Sequence, residues 1–221
     1  MLLDGKIKIK IGGALKNVIL AEHEAKELIA KCGIKIPKYD IIKNEDEIDD
    51  IKVNFPVALK VSSPKILHKT DVGGVALDIK DKEELKEKFK EMKKRFPGEK
   101  FIVEEMAKKG IEVIAGVVND RAFGKCIMVG IGGIFTEIYK DISFRMLPIS
   151  KEDAEDMLND LKAREIFYGY RVKVDKDALI DVLLKLSKMA DETKIKQLDL
   201  NPIFLYKKGC VAVDAKIILE E

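Results

Sequence analysis

The spacing of the apolar residues changes near residue 100, and this change restricts the folds open to the chain. Before it, amphipathic segments of helical length alternate with short apolar segments of strand length. From Phe101 onwards, several strand-like segments follow one another closely, which favours antiparallel pairing. The pattern therefore predicts an α+β protein with two lobes and a cleft between them, an arrangement typical of enzymes.

The first half of the chain is predicted to alternate helices and strands. Asp81, with Glu84 three residues later, is expected to begin the last helix of this half, and Pro97-Gly98 to end it. Asn44 and Glu47 are expected to cap a short acidic helix in the same way. The predicted elements are helices at about 21–32 and 82–95 and strands near 39–42, 57–61 and 75–79.

In the second half, the strands are expected to form a sheet that two helices cover. Ser150 and Asp175 are expected to begin these helices, at about 151–161 and 176–191. The predicted strands are 101–106, 111–118, 125–130, 136–139, 144–147, 197–200, 203–206 and 210–215. We therefore divide the chain into a variable N-terminal arm (1–18), an N-terminal lobe (19–100) and a C-terminal lobe (101–221).

The charge balance argues against a nucleic-acid partner. Lys and Arg number 41 against 39 Asp and Glu, and the net charge of +2 is spread along the chain without a basic field. Cys32, Cys126 and Cys210 are odd in number and far apart, which favours reduced thiols over a disulfide framework or a zinc site. Since we find neither a signal-peptide segment nor a long apolar run, we expect a soluble cytoplasmic protein without a membrane partner.

The segment between the strands at 57–61 and 75–79 is too long for a turn and too polar for a core. Its last residues, Gly73 and Gly74, would let backbone amides approach an anion, although a glycine pair also marks simple bulges. Lys60, at the end of the first strand, could reach a phosphate in the cleft while its stem packs inside the lobe. The alternative for Lys60 is an edge-strand lysine that points to water.

The two histidines of the chain lie in different settings. His68 is in the polar loop, close to Lys65 and Lys69. A neutral imidazole can attack phosphorus, and nearby positive charge favours the phosphorylated product, so His68 is a candidate nucleophile; the alternative is an ordinary loop histidine. His23 lies between glutamates on the first predicted helix, and we expect it to be a surface residue.

Acidic residues mark the passage from one lobe to the other. Glu104, Glu105 and Met106 end the strand at 101–106, where backbone groups could pair with an adenine edge and a carboxylate could take ribose hydroxyls. Glu112, on the next strand, is a further cleft candidate. Taken alone, this is also the pattern of an ordinary acidic strand end.

The C-terminal segment carries the most informative spacing. Asp199 and Asn201 share one face of a predicted strand, and Asp214 lies on a strand expected to return antiparallel beside them. Oxygen ligands on adjacent strands suit Mg²⁺, which takes one or two protein ligands plus phosphate oxygens and water. The alternative is a turn at Asn201-Pro202 with Asp214 as a surface charge, although carboxylates among apolar strand residues are costly unless paired or metal-bound.

Six segments, taken in order, carry a resemblance to a known family. They are Ala58-Leu59-Lys60, His68-Lys69-Thr70-Asp71-Val72-Gly73-Gly74, Glu104-Glu105-Met106, Gly130-Ile131-Gly132-Gly133-Ile134-Phe135, Asp199-Leu200-Asn201-Pro202 and Asp214-Ala215-Lys216. Together they closely resemble the β subunit of ADP-forming acetyl-CoA synthetase, which is an ATP-grasp module, and more distantly the β subunit of succinyl-CoA synthetase. The likeness extends from about Ile19 to Leu219, nearly the whole chain.

The resemblance implies a two-lobed ATP-grasp fold with the nucleotide site between the lobes. It implies a reaction in which acyl-CoA, ADP and phosphate interconvert with a carboxylic acid, ATP and CoA, with ATP or ADP and Mg²⁺ as cofactors. It also implies a CoA-binding α subunit that carries a phosphorylatable histidine, within an α2β2 heterotetramer. On this interpretation the chain has no CoA domain of its own and is not expected to complete the reaction alone.

The resemblance also assigns roles to individual residues. His68 matches a second phosphoryl carrier near the nucleotide, and Asp199 matches the acidic residue that orients phosphohistidine, consistent with the need to fix an imidazole tautomer. Gly132 and Gly133 match the backbone loop around the visiting phosphohistidine. The nucleotide-binding residues are expected to be Lys60, Gly73, Gly74, Glu104, Glu105, Met106 and Glu112, and the metal ligands Asn201 and Asp214.

Two other functions compete with this one. A self-contained ATP-grasp carboxylate–amine ligase would share the nucleotide residues and leave His68 as a loop residue, but a chain of 221 residues leaves little room for acid and amine sites. A non-catalytic nucleotide-sensing module of a fused acyltransferase would be indicated by loss of the Mg²⁺ ligands or of the carrier histidine, and this chain keeps both.

Overall fold

A computed structural model describes residues 18–66, 68–133 and 140–220 of the chain. Within them, two antiparallel sheets each support an apolar core, and helices cover the sheets, as the predicted α+β class requires. The strand expected at 136–139 and all of the predicted arm except Val18 lie outside the described residues. None of the helices in these ranges combines the length and apolar character that a membrane crossing needs.

The elements alternate as the sequence pattern predicts. The strands are β1 (Val18–Ile19), β2 (Tyr39–Ile42), β3 (Val57–Ser62), β4 (Val75–Ile79), β5 (Lys100–Glu105), β6 (Ile111–Asp120), β7 (Gly124–Ile131), β8 (Ile142–Met146), β9 (Ile195–Leu205), β10 (Cys210–Ala212) and β11 (Ala215–Leu219). The α-helices are α1 (Glu22–Lys31), α2 (Lys82–Arg95), α3 (Lys151–Asn159) and α4 (Lys176–Glu192). Short 3-10 helices occupy Glu45–Asp50 and Arg164–Tyr168.

The smaller sheet has the strand order β2-β5-β3-β4. Val57, Leu59 and Val61 of β3 face its core, together with side chains from α2 and the first 3-10 helix. Each such aliphatic side chain contributes about 1.5–3 kcal/mol by leaving water. The other face of β3, which carries Lys60 and Ser62, is buried as well, because it meets α1.

The larger sheet has the order β1-β11-β9-β6-β7-β8, and β10 also pairs with β9. Its pairings are antiparallel, as predicted for the second half. One face is covered by α3 and α4, and Leu179, Leu183 and Leu186 of α4 are fully buried there. Ile29 of α1 lies in the same core. The opposite face of β9 and β11 is left to the site described below.

Three of the four predicted helix starts are confirmed by their hydrogen bonds. Asp81 accepts from the Glu84 amide at 2.9 Å, Ser150 from Asp153 at 3.1 Å and Asp175 from Ala178 at 3.1 Å. The helix expected after Asn44 is a 3-10 helix, and Asn44 makes no side-chain capping bond.

The prediction at Asn44 fails because its partner, Glu47, is used differently. The Glu47 carboxylate accepts from the Lys43 amide at 2.7 Å and from Asn44 Nδ2 at 3.2 Å. The Asn44 side chain is therefore a donor here, and it does not accept from the helix backbone.

The C-terminal strands differ from the prediction in two ways. The expected strands 197–200 and 203–206 form one strand, β9, because a register shift in the facing strand, between Val113 and Ala115, accommodates the irregularity near Pro202. The expected strand 210–215 is instead divided into β10 and β11. Asp214 therefore lies between two strands and not within one.

The division of the chain at residue 100 does not follow the sheets. Strand β5 pairs with β2 and β3 in the smaller sheet, although most of it was placed beyond the boundary. Helix α1, placed in the first lobe, packs in the core of the larger sheet. Both placements depend on long-range contacts that local periodicity does not contain.

Candidate functional site

A cavity of about 430 Å³ lies between the β3–β4 loop and the strands β9 and β11. Both sheets contribute to its walls. The predicted site residues that line it are His68, Asp199, Asn201 and Asp214. The other charged residues in its lining are Glu22, Lys69, Asp71 and Lys216. The structure therefore brings the candidate phosphoryl carrier, the orienting carboxylate and the candidate metal ligands to one place.

The β3–β4 loop presents the exposed His68 to this cavity. The loop is closed by the Gly74 amide, which donates to the Lys69 carbonyl at 2.6 Å, and Arg95 at the end of α2 donates to the Val72 carbonyl at 2.7 Å. Gly73 has φ of +66°, and a Cβ atom there would lie 2.6 Å from the Arg95 guanidinium. Gly73 and Gly74 thus shape the loop and do not belong to the described lining of the cavity.

Strand β9 presents Asp199 and Asn201 to the cavity, while Leu198 and Leu200 point into the helix-covered core. This is the two-residue repeat that the sequence predicted. Burial raises the pKa of Asp199, and the Asp214 carboxylate raises this pKa further, while Lys216 on β11 lowers it. The pKa of Asp199 therefore lies above that of an ordinary aspartate.

Gly116 lies beside the site and was not predicted from the sequence. It is the cross-strand neighbour of Asp199 on β6. A Cβ atom on Gly116 would lie 2.5 Å from the Leu198 carbonyl oxygen, so the two strands approach each other too closely for any side chain there. The signal in the sequence was a glycine inside an otherwise apolar strand, which often marks a close backbone approach.

Six charged side chains next to the cavity form a continuous ion-pair network. Lys60 Nζ lies 2.7 Å from Glu104 Oε1 and 3.2 Å from Glu22 Oε1. Lys26 pairs with Glu22 at 3.1 Å and with Glu104. The remaining members are Lys69, which pairs with Glu22, and Asp214, whose two oxygens are each 3.0 Å from Lys69 Nζ. Three positive and three negative groups are thus balanced.

The members of this network perturb each other strongly. Burial raises the pKa of Glu22, but Lys60, Lys26 and Lys69 together outweigh burial and hold that pKa well below its ordinary value. Burial lowers the pKa of Lys26, helped by the charge of Lys60 and opposed by Glu22. Removing one partner of a buried ion pair costs about 3–5 kcal/mol, so each member depends on the others.

Lys60 was predicted to bind nucleotide phosphates, and the structure places its ammonium inside the network. Its three N–H groups find three acceptors: Glu22, Glu104 and the Val213 carbonyl, at 3.2, 2.7 and 3.0 Å. Lys60 and Glu104 do not belong to the described lining of the cavity. A phosphate would have to replace one of these acceptors to reach Lys60.

The other predicted nucleotide residues lie away from the cavity. The Glu105 carboxylate accepts hydrogen bonds from the backbone amide and the side chain of Asn54, at 3.0 and 2.7 Å. The backbone amide of the exposed Met106 donates to the Pro56 carbonyl oxygen at 3.0 Å. These two residues sit at the end of β5, where the chain leaves the smaller sheet.

Glu112 and Gly132 are brought together by the sheet. The Gly132 amide donates to the Glu112 carbonyl at 2.7 Å, and a Cβ on Gly132 would lie 2.9 Å from Glu112. Gly133 next to them is exposed, with φ of +82°. Glu112 and both glycines stand outside the cavity as the described residues define it.

The cavity residues fit a hard divalent cation. Asn201 and Asp214 offer an amide oxygen and a carboxylate, the donor types that Mg²⁺ takes together with phosphate oxygens and water. The Lys69 ammonium against Asp214 shows that a cation is favoured at this carboxylate. No group of three or more His, Cys, Asp or Glu residues in the described ranges could hold a metal ion alone. Two protein ligands leave the remaining coordination positions of the metal to water or phosphate oxygens.

His23, expected at the surface, is 8 % exposed. Its Nδ1 lies 2.8 Å from Ser62 Oγ, and its amide donates to the same oxygen at 3.2 Å. Burial lowers the pKa of His23, and the charge of Lys100 lowers it further. The prediction was wrong because α1 is covered on this side by β3 of the other sheet.

Glu22 and Lys26 were missed for the same reason. They have the i, i+4 spacing of an ordinary surface ion pair on a helix, and nothing local shows that both are buried.

The sequence and the fold are similar to those of known proteins. The profile of the ATP-grasp domain family matches residues 14–219. The β subunit of acetate–CoA ligase (ADP-forming) II from Pyrococcus furiosus is 44% identical over 216 residues, which cover 91% of this chain and 92% of that subunit. Acetate–CoA ligase (ADP-forming) II from Archaeoglobus fulgidus is 41% identical over 207 residues, which cover 92% of this chain and 31% of that protein. The chain therefore spans about a third of the longer relative.

A solved structure is similar over nearly the same range. An acetyl-coenzyme A synthetase 1 from Candidatus Korarchaeum cryptofilum, in complex with coenzyme A and Mg-AMPPCP, matches with a TM-score of 0.80 and 37% identity. The match covers 91% of this chain and 93% of that one, and the phosphohistidine segment in that structure points towards the nucleotide-binding site. This chain belongs to the ATP-grasp family, among the β subunits of the ADP-forming acetyl-CoA synthetases.

Proposed function

We propose that the chain is the nucleotide-binding subunit of an enzyme that converts acyl-CoA, ADP and phosphate into a carboxylic acid, ATP and CoA. The observation that carries this proposal is the cavity in which His68, Asp199, Asn201 and Asp214 meet. A loop histidine and a carboxylate, beside oxygen ligands for a metal, are groups that phosphoryl transfer to a nucleotide uses.

His68 is proposed to carry the phosphoryl group. In the first step, a neutral ring nitrogen of His68 attacks the phosphorus of a phosphohistidine on a partner subunit, so that one N–P bond forms while the other breaks. In the second, a terminal phosphate oxygen of ADP attacks the same phosphorus, an O–P bond forms, and the His68 imidazole leaves. Asp199 accepts a hydrogen bond from the other ring nitrogen of His68 and so fixes the attacking nitrogen.

Asn201 and Asp214 are proposed to hold Mg²⁺. The metal, when bound, neutralises charge on the nucleotide phosphates. Lys69 and Lys216 in the same cavity add positive charge where phosphate oxygens would lie. Lys60, Gly73, Gly74, Glu104, Glu105, Met106 and Glu112 remain proposed nucleotide residues, and Gly132 and Gly133 remain the proposed loop for a visiting phosphohistidine.

The proposed partner is a CoA-binding α subunit with a phosphorylatable histidine, in an α2β2 assembly. Two observations support a partner: the Pyrococcus furiosus relative is itself a β subunit, and the Archaeoglobus fulgidus relative is about three times as long as the segment it shares with this chain. The proposed nucleotides are ADP and ATP.

The labelling experiment uses the fact that the chain has two histidines. The protein, with and without an α subunit from the same genome, is incubated with Mg²⁺ and γ-labelled ATP, and acid-labile, base-stable label is mapped by peptide. We expect label on the peptide that contains His68, loss of label in His68→Gln and retention in His23→Gln, in which the amide can still bond Ser62. Full labelling of His68→Gln in the complete enzyme would refute the carrier role.

A further inference from the structure

Lys69 ties the β3–β4 loop to the opposite wall of the cavity. Its Nζ lies 3.0 Å from both carboxylate oxygens of Asp214 and also pairs with Glu22. Lys69 belongs to a loop of the smaller sheet, whereas Asp214 precedes β11 of the larger one. His68 is the preceding residue in the loop, so the bond from Lys69 to Asp214 restricts where the imidazole can move.

Both oxygens of the Asp214 carboxylate already accept hydrogen bonds in this arrangement. Oδ1 accepts from the Ala215 amide at 2.8 Å in addition to Lys69, and Oδ2 accepts from Lys69. The Lys69 side chain is only 11% exposed, while that of Asp214 is 33% exposed, so the carboxylate can be reached from the cavity. A divalent cation that binds Asp214 would compete with the ammonium for the same oxygens and would repel it.

We propose that Lys69 is a positioning residue whose bond to Asp214 competes with a divalent metal, so that arrival of the metal releases the His68 segment towards the phosphoryl group. This proposal rests on the proposed function in its use of Asp214 as a metal ligand and of His68 as a phosphoryl carrier. Coupling between two binding events is reciprocal. The contact of Lys69 with Asp214 must therefore lower the affinity for the metal by the same factor by which the metal weakens that contact.

The ion-pair network allows this release without leaving a buried charge alone. When Lys69 leaves, Glu22 keeps Lys60 at 3.2 Å and Lys26 at 3.1 Å, and Glu104 keeps its bond from Lys60. The core of the network then holds two positive and two negative groups. Lys69 itself is next to the open cavity, where a phosphate could replace both of its carboxylate partners.

The first test measures binding of Mn²⁺ alone, by electron paramagnetic resonance, to the nucleotide-free protein. Lys69→Met should bind Mn²⁺ at least about tenfold more tightly than the unmodified protein, the lower part of the usual range for coupled sites. Lys65→Met is the matched control, since Lys65 is an exposed lysine of the same loop and its loss removes the same charge. The gain should disappear when Asp214→Ala is combined with Lys69→Met.

Equal Mn²⁺ affinity in Lys69→Met and Lys65→Met would overturn the proposal. So would a gain that persists in the Asp214→Ala background, because the metal would then bind elsewhere. Lys69→Arg keeps the positive charge that bonds Asp214 and should bind Mn²⁺ as weakly as the unmodified protein. This variant therefore distinguishes loss of the bond to Asp214 from a folding defect caused by substitution at position 69.

The second test follows amide hydrogen exchange in residues 68–74. Saturating Mg²⁺ should speed exchange there in the unmodified protein and in Lys65→Met, whereas Lys69→Met should exchange fast with and without Mg²⁺. If Mg²⁺ did not change the exchange rate of these amides in the unmodified protein, the proposed release of the His68 segment would be contradicted. Failure of the proposed function would appear differently: His68 would remain unlabelled in the labelling experiment while the Mn²⁺ gain in Lys69→Met persisted.

Discussion

At the scale of single residues, Glu22 is the carboxylate on which the ion-pair network depends. Its side chain is 3% exposed, and it contacts Lys26, Lys60 and Lys69 from three different segments of the chain. Burial by itself would favour the neutral acid, but the three ammonium groups reverse that preference and lower its pKa. The charge of Glu22 is therefore a condition for holding the lysines in place.

The lowered pKa of Glu22 predicts how stability depends on pH. Between its native pKa and the ordinary carboxyl pKa near 4.5, the unfolded chain binds more protons than the folded one, so stability falls as pH falls through this window. Glu22→Gln should remove part of this slope and should lower the free energy of unfolding at neutral pH by about 3 kcal/mol or more, because three lysines lose their shared partner. Urea unfolding at a series of pH values measures both effects.

Glu27→Gln is the control for this prediction, because Glu27 is an exposed residue of the same helix. Its substitution should change the free energy of unfolding by less than about 0.5 kcal/mol. If Glu22→Gln showed the same acid slope as the unmodified protein, the charge of Glu22 would not be the one that the lysines hold.

Some site residues could be identified from the sequence and others could not, for a physical reason. Asp199 and Asn201 alternate with apolar residues of a strand, and His68 lies in a polar loop too long for a turn, so their exposure to a cleft follows from local pattern. Glu22 and His23 are surrounded by charged helix neighbours, and only the packing of β3 against α1 buries them. Contacts between segments that are distant in the sequence leave no periodicity in either segment.

At the scale of elements, the close approach of β6 and β9 places Asp199. Gly116 on β6 faces it, and the neighbouring Leu198 carbonyl leaves no space for a Cβ atom. Gly116→Ala should push β9 away, with a loss of about 1–3 kcal/mol of stability. It should also slow phosphoryl transfer to His68 by about 10²-fold, since a displacement of Asp199 of about 1 Å misaligns the imidazole. Chemical denaturation and single-turnover labelling measure the two losses separately.

Gly124→Asn is a suitable comparison for Gly116→Ala. Gly124 lies at the β6–β7 turn with φ of +72°, and no described atom lies within 4 Å of the position that a Cβ atom would take there. Asparagine tolerates this conformation better than other residues, so the change should cost less than about 1 kcal/mol and leave labelling intact. Unchanged labelling in Gly116→Ala would show that Asp199 does not depend on this packing.

Element boundaries were predictable where a local signal ends the segment. Asp81 and Pro97-Gly98 enclose α2, which runs over 82–95 as expected. The proline at 202 suggested a gap between two strands, yet β9 continues across this position. Before the irregularity, β9 pairs with β6 on one side and β11 on the other, and beyond the irregularity β9 still pairs with β6. Whether a strand survives an irregularity thus depends on its neighbours in the sheet.

At the scale of the whole molecule, the cavity and the network both join the two sheets. His68 and Val61 reach the cavity from the smaller sheet, and Asp199 and Lys216 reach it from the larger one. A ligand that fills this cavity contacts both lobes and binds only when both are folded. Its binding free energy should therefore stabilise the lobes together.

Calorimetry of the protein with ADP and Mg²⁺ tests this coupling. At a ligand concentration about 100-fold above Kd, the stabilisation is about 2.7 kcal/mol, which should raise Tm by about 5 °C or more in a single transition. Asp214→Ala should keep the shift caused by ADP without Mg²⁺ and lose the increment that Mg²⁺ adds. Asp191→Ala, at an exposed position near the end of α4, should keep both. If Mg²⁺ raised the Tm of Asp214→Ala as much as that of the unmodified protein, Asp214 would not be a metal ligand. If the Tm shift were confined to one of two transitions, the ligand would stabilise only one lobe.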